Sequence, residues 1–193
     1  IAAARAMGFV VKLLAVAELT DSDEVVVRVH PTLVPDTHPL ASVHDAFNAV
    51  FINADAAGEV MFYGRGAGGT PTASAVVGDL VTVGRHLVQG SRGHEVVAHK
   101  QLPTSSIGAA RTRYYMNLQV ADRPGVLAAI AQVFAEHGVS IHVVRQDGAG
   151  ADSRIVIRTH EALDRDLAAT VEALRRSPHV RTVDGVMRVE GER

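Results

Sequence analysis

Cysteine and tryptophan are absent from the 193 residues, aromatic side chains make up 4% of them, and lysine occurs only at Lys12 and Lys100. Without cysteine, disulfides and thiolate chemistry are excluded, which is compatible with a cytoplasmic protein. Charges of both signs are interspersed to a net −2, so no basic stripe exists to track a nucleic-acid backbone. No apolar run reaches the roughly 18 residues that a membrane span requires. Neither nucleic acid nor a membrane is therefore expected as a partner. What the chain does have is 47% hydrophobic residues, enough for one or two cored domains, and 17 glycines. It opens on Ile1-Ala-Ala-Ala-Arg5, with no initiator Met and a helical pattern already under way, which reads as a cut through a longer protein.

Apolar patterning predicts the elements. Phe9–Leu19 reads as a buried strand and Val25–Val29 as a second one, after the polar turn Thr20–Asp23. Pro31, Pro35 and Pro39 punctuate the next stretch. Leu40, Val43, Phe47 and Val50 then recur at helical spacing and predict a helix over 40–50. A turn at 53–58 and a short strand Val60–Tyr63 feed the glycine cluster Gly64–Gly69; Thr70 as a cap and Pro71 in the first turn predict a helix over 71–88. Small and polar residues between Gly90 and Thr112 read as an interdomain connection.

The last segment has a regular order. Strand Tyr114–Val120 is followed by the turn Asp122–Gly125, then by a helix presenting Val126, Leu127, Ile130, Val133 and Phe134 on one face and closing at Gly138. Strand Val139–Arg145, a glycine-containing turn over 146–152 and strand Ser153–Thr159 come next. Leu163, Leu167, Val171 and Leu174 mark a second helix, ended by Pro178, and Val180–Val189 is the last strand. The expected class is α+β: a partial α/β remnant over 1–90, a linker over 91–112, and a βαββαβ ferredoxin-like domain over 113–190.

Two glycine-bearing turns carry the candidate chemistry. Gly64-x-Gly66-x-x-Gly69 follows a strand and precedes a helix, as a dinucleotide fingerprint does. That fingerprint also needs a following strand closed by an acidic residue about 20 residues on, and here the helix runs into the polar connection instead. The turn is either a tight bend needing positive φ or bare backbone open to close approach of a ligand. At Asp122-Arg-Pro-Gly125, the amides beyond Gly125 can receive a carboxylate and Asp122 can accept from an α-amino group. His94 and His99 stand about 140° apart round a helix and cannot share a metal. No metal site is expected, and Ser105 and Ser106 lack the setting of a hydrolase nucleophile.

The strand Tyr114–Val120, the turn Asp122–Gly125 and the stretch Val139-Ser-Ile-His-Val-Val-Arg-Gln146 resemble the ACT domain, a small amino-acid-binding regulatory module. The resemblance implies a ligand seated where two modules pair, between the turn and the start of the second strand, with Asp122, Gly125, Val126, Ile141 and Gln146 as its contacts. A module used only for dimerisation is the alternative. Phe62-Tyr-Gly-Arg-Gly-Ala-Gly-Gly-Thr-Pro-Thr-Ala-Ser-Ala-Val-Val-Gly-Asp79, with Val29–Pro35, His38–Ala41 and Asn48–Val50, resembles the C-terminal part of homoserine dehydrogenase. That resemblance implies an NADP- or NAD-dependent oxidoreductase acting on L-homoserine in threonine and methionine biosynthesis, with L-threonine as effector and homo-oligomers formed through the ACT and dimerisation regions. It places Gly66, Ala67 and Gly68, with Thr72, at the nicotinamide cofactor. It also puts the family's nucleotide fingerprint and its catalytic acidic and lysine residues before Ile1, so no catalytic residue is expected in this chain. Lys12, inside an apolar strand, and Lys100 are given no catalytic role. A non-enzymatic amino-acid-binding module is the alternative function.

Overall fold

In the computed structural model, residues 2–91, 100–148, 150 and 153–191 are described. The chain order is α1 (Ala2–Arg5), β1 (Phe9–Leu19), β2 (Val25–Pro35), a 3-10 turn (Pro39–Ser42), β3 (Phe47–Ala54), β4 (Gly58–Arg65), α2 (Gly69–Val88), a second 3-10 turn (Ile107–Ala109), β5 (Arg111–Val120), α3 (Val126–Glu136), β6 (Ile141–Asp147), β7 (Arg154–Thr159), β8 (Ala162–Leu163), α4 (Asp164–Arg176) and β9 (Val180–Val189). The mixture of helix and sheet is α+β. Two compact units contain it: Ile1–Pro35 with Leu102–Arg193, and Asp36–Gln101.

The first unit is built on one sheet of order β1-β2-β9-β5-β7-β6, with β8 paired to β5. Strands β5, β6, β7 and β9 are antiparallel neighbours with crossovers through α3 and α4, the βαββαβ order the sequence predicts. Alternation along β5 sends Tyr114, Met116, Leu118 and Val120 into the core, where they meet Ile130 and Phe134 of α3 and Leu167 and Leu174 of α4. Each such large side chain contributes about 1.5–3 kcal/mol on burial. On the expected α3 face, Val126, Ile130 and Phe134 are buried, Val133 packs against them, and Leu127 is exposed. Helix α3 ends as its glycine predicts, with Gly138 at φ 67° and Val139 N–H donating to Phe134 O.

A second, smaller core joins the hairpin β1–β2 to this sheet. Tyr115, which alternation turns away from the first core, packs with Ala4, Phe9, Leu33, Val156 and Val189. Strand β2 continues to Pro35 rather than stopping at Val29, because it pairs with β1 along its whole length and with β9 in parallel at Thr32–Leu33. Pro31 and Pro35 are tolerated in the strand because β9 pairs only with Thr32 and Leu33 between them, leaving the prolines on an unpaired edge on that side. The apolar run of β1 is not buried throughout: its alternate residues, Leu13 and Leu19 among them, are exposed. Part of the expected connection is structured as well. Val25 N–H donates to Pro103 O and Ser105 N–H to Val25 O, so 103–105 runs along β2.

The second unit holds the hairpin β3–β4, paired from Phe47↔Arg65 to Ala54↔Gly58, and the 20-residue helix α2. Here the expected helix over 40–50 is wrong. Only Pro39–Ser42 coils, as a 3-10 turn begun by Leu40 N–H donating to His38 Nδ1; Asp45 at φ 56° then turns the chain into β3. Leu40, Val43, Phe47 and Val50 fit a helical repeat by spacing, but pairing with β4 overrides it and sets Phe47, Ala49 and Phe51 on one face. Phe47 stacks on Tyr63 at 4.9 Å with the Arg65 guanidinium over its ring, and His38 packs on Phe51.

Candidate ligand-binding turns

The first glycine turn joins β4 to α2. A Cβ at Gly66 would stand 1.7 Å from Asn48 Nδ2, so a larger residue there would have to push the Asn48 side chain aside, and Gly66 N–H donates to Ala46 O across the hairpin. Gly68, at φ 131°, takes the N-cap position, its carbonyl accepting from Thr72 N–H at 3.1 Å and Thr72 Oγ1 at 2.8 Å. Thr70 is therefore not the cap; it lies in the first turn, and no side chain caps this helix start. No heavy atom lies within 4 Å of a Cβ built on Gly64 or Gly69, so the lip of the turn is open. Gly68, Gly69, Thr72, Ala73, Val76 and Val77 line a shallow, mainly apolar depression on the first two turns of α2. Gly66, Gly68 and Thr72 are thus gathered at one turn with Ala67 between them. Small residues and open backbone there suit a flat ring with few hydrogen-bonding demands.

The second turn, Asp122–Gly125, sits at the head of α3. Gly125 adopts φ 89°, a left-handed conformation, with open space where a Cβ would be. Asp122 and Gly125 are exposed, whereas the side chain of Val126 is buried in the core. Asp122 Oδ2 accepts from Gly150 N–H at 2.8 Å, which places the turn beside the loop that follows β6. Gln146 lies at that end of β6; Ile141, half-buried against the core, begins the strand five residues earlier, about 16 Å away by strand rise. The turn thus lies toward the end of β6 that carries Gln146, and Ile141 lies at the far end.

Sequence reasoning missed a polar junction between the β1–β2 hairpin and the C-terminal sheet. Arg28, buried on β2, pairs with Glu18 at 2.9 Å and with Glu190, 162 residues away in sequence, at 2.7 Å. Burial opposes the Arg28 charge, but the hydrogen bonds it donates to Glu190 and the two carboxylates outweigh it and hold its pKa above the ordinary value. Next to it, buried Asp164 accepts from Tyr114 OH at 3.0 Å and from Arg188 Nε at 2.8 Å. Burial, with Asp164 adding to it, pushes the Tyr114 phenol up to about 12. His30, hydrogen-bonded to the Thr32 hydroxyl at 2.6 Å, has its pKa lowered by burial and by the neighbouring arginines. Nothing local in the sequence marks these partners, because pairs this remote meet only through the sheet. Among the described residues no group of three metal-ligating side chains converges, and no helix is long and apolar enough to cross a membrane. His94 and His99 lie outside the described residues.

Comparison with known proteins adds the lineage. The homoserine dehydrogenase family profile matches residues 1–81, and that of the ACT domain residues 114–179. The chain is 46% identical over 194 residues to homoserine dehydrogenase of Corynebacterium glutamicum, covering 98% of this chain and 44% of that protein. It is 50% identical over 198 residues to the Mycobacterium tuberculosis enzyme of the same name, covering 97% and 45%. Among solved structures, a homoserine dehydrogenase from Thiobacillus denitrificans superposes with a TM-score of 0.86 at 34% identity, over 98% of this chain and 44% of that one. The chain thus spans a little under half the length of the relatives it matches. Residues 1–81 thus carry the sequence of the homoserine dehydrogenase family, and residues 114–179 that of an ACT domain.

Proposed function

We propose that this chain is the regulatory, C-terminal portion of an NADP- or NAD-dependent homoserine dehydrogenase, which interconverts L-homoserine and L-aspartate 4-semialdehyde in threonine and methionine biosynthesis in the cytoplasm. The observation that carries the reading is the turn at Gly64–Gly69, where Gly66 lies under Asn48 and open glycine backbone leads into an exposed helix with small residues at its head. Gly66, Ala67, Gly68 and Thr72 would hold the nicotinamide end of the cofactor, which supplies the hydride acceptor. Thr72, bonded to Gly68 O through both its amide and its hydroxyl, fixes the path of the backbone there. Rigid placement is this turn's contribution, since hydride transfer demands a near-attack geometry. Residues 1–90 would belong to the catalytic and dimerisation region, 91–112 to the linker, and 113–190 to the sensor. In the sensor, the Asp122 turn would receive an amino-acid effector, L-threonine by family resemblance, within a homo-oligomer.

The test is the homoserine-dependent reduction of NADP and NAD by the full-length polypeptide, followed by absorbance of the reduced nicotinamide. Gly66→Val, whose side chain would strike Asn48, should lower kcat/KM by about 100-fold, as misplacement near 1 Å does. Asp122→Ala should leave that rate intact and remove its response to L-threonine. An enzyme indifferent to Gly66→Val would refute the cofactor role.

A further inference from the structure

The seam where strand β2 meets β9 is short. The two strands pair at Thr32–Leu33 against Arg188–Val189, and Glu190 N–H closes the ladder on Leu33 O at 3.0 Å. Alternation puts Arg28, His30 and Thr32 on one face of β2, with Lys12 of β1 opposite Thr32. Arg28 holds Glu18 and Glu190, and Arg188 of β9 holds Asp164 at the head of α4. Around His30 there are thus three cations, Lys12, Arg28 and Arg188, and three carboxylates, Glu18, Asp164 and Glu190. The charges balance when the His30 ring is neutral.

The ring is placed to carry one proton and not two. An imidazolium needs acceptors for two N–H groups. His30 Nδ1 has the Thr32 hydroxyl at 2.6 Å and the Pro31 carbonyl at 3.3 Å, whereas Nε2 is buried with no hydrogen-bond partner among the described residues. A buried N–H without an acceptor is costly, the more so when it is charged. Burial, followed by Arg188 and Arg28, opposes a positive charge on the ring. Asp164, the carboxylate that would favour it, is already committed to Tyr114 OH at 3.0 Å and Arg188 Nε at 2.8 Å. A second proton is therefore better accommodated with the ring in water, that is, with β2 moved off β9.

We propose that His30 is an acid-sensitive latch on this seam: its neutral ring lets β2 close on β9, and its protonation favours the open arrangement. In the closed seam the ring's pKa is held below the ordinary histidine value, so the open state takes the proton first. Closure is at full strength above the ordinary value of about 6.5 and weakens as the pH falls through it. Glu190, raised by burial, binds its proton more readily in the closed state and acts in the opposite direction, while the Tyr114 phenol keeps its proton throughout. Acid would thus loosen the β1–β2 hairpin from the sheet that carries the ACT strands, with no ligand at either glycine turn.

Hydrogen exchange of the 193-residue chain at about pH 7.5 and about pH 5, expressed as protection factors so that the chemical pH dependence of exchange cancels, tests this. Glu190 N–H and the other β9 amides that face β2 should lose about threefold or more of their protection at the lower pH, as one opposed charge does, while β5 amides paired to β7 lose little. His30→Gln, polar but unable to take the proton, should abolish the loss, and His142→Gln, at an exposed histidine on β6, should leave it intact. The NMR signal of the His30 ring should titrate with the same midpoint as the loss of protection. Thermal unfolding of each variant establishes that it is folded, and His30→Asn stands in if His30→Gln does not fold. Equal protection at both pH values, a loss that survives His30→Gln, a loss shared equally by β5 and β7, or a midpoint unlike that of the ring would overturn the proposal.

Discussion

The two units spend their apolar residues in opposite ways. In the unit formed by Ile1–Pro35 and Leu102–Arg193, the sheet is covered by α3 and α4 on one face and by a second cluster around Phe9 and Tyr115, and Phe134, Met116, Leu118 and Ile157 are sealed from water. In Asp36–Gln101, helix α2 has no buried residue along its whole length; Leu80 is 65% exposed, and Val76, Val77, Val83 and Leu87 are exposed beside it. A row of apolar side chains this long is ordinarily covered by another surface. One unit closes its own core around the ACT strands, whereas the other leaves the apolar side chains of its helix exposed.

The largest expected effect sharpens that contrast in the core around β5, α3 and α4. Phe134→Ala should cost about 3–5 kcal/mol in denaturant unfolding of the chain, through lost contacts and the cavity left behind. Alkaline pH comes next. The Tyr114 phenol is raised from 10 to about 12, so full stability is present below pH 10. Between pH 10 and about 12 the unfolded chain ionises while the folded one keeps its proton, and about 2–3 kcal/mol is lost. Tyr114→Phe should flatten much of the fall, with Tyr115, also raised by burial, accounting for part of the remainder. Arg28→Met should cost about 2 kcal/mol by leaving Glu18 and Glu190 without their shared cation, less than a fully buried pair because both carboxylates keep some contact with water. The smallest effect lies on α2: Leu80→Ser should change stability by no more than about 0.5 kcal/mol while weakening concentration-dependent association in sedimentation experiments. A cost comparable to that of Phe134→Ala would break the comparison.

How much of this could be read in advance followed how local the cause was. Strands β1 and β9 fall where alternation and apolar runs place them, and Gly138 ends α3 as a left-handed cap. The ACT core was legible because each element carries its own period. Residues 40–50 misled because four apolar side chains at helical spacing also suit a strand, and only β4, eight to eighteen residues further on, decides between them. The extension of β2 to Pro35 depends on pairing with β1 and β9, and the Arg28 junction draws its carboxylates from β1 and from Glu190, 162 residues away. Of the two turns, the glycines were visible as letters. The contact of Asn48 on Gly66 and the bond from Gly150 to Asp122 belong to the fold alone.

Native-state hydrogen exchange on the 193-residue chain tests the contrast between the units most directly. Amides of β5, α3 and α4 should exchange only through global unfolding, and those of α2 much faster, through local opening. Protection of α2 equal to that of α3 in this same chain would contradict the account.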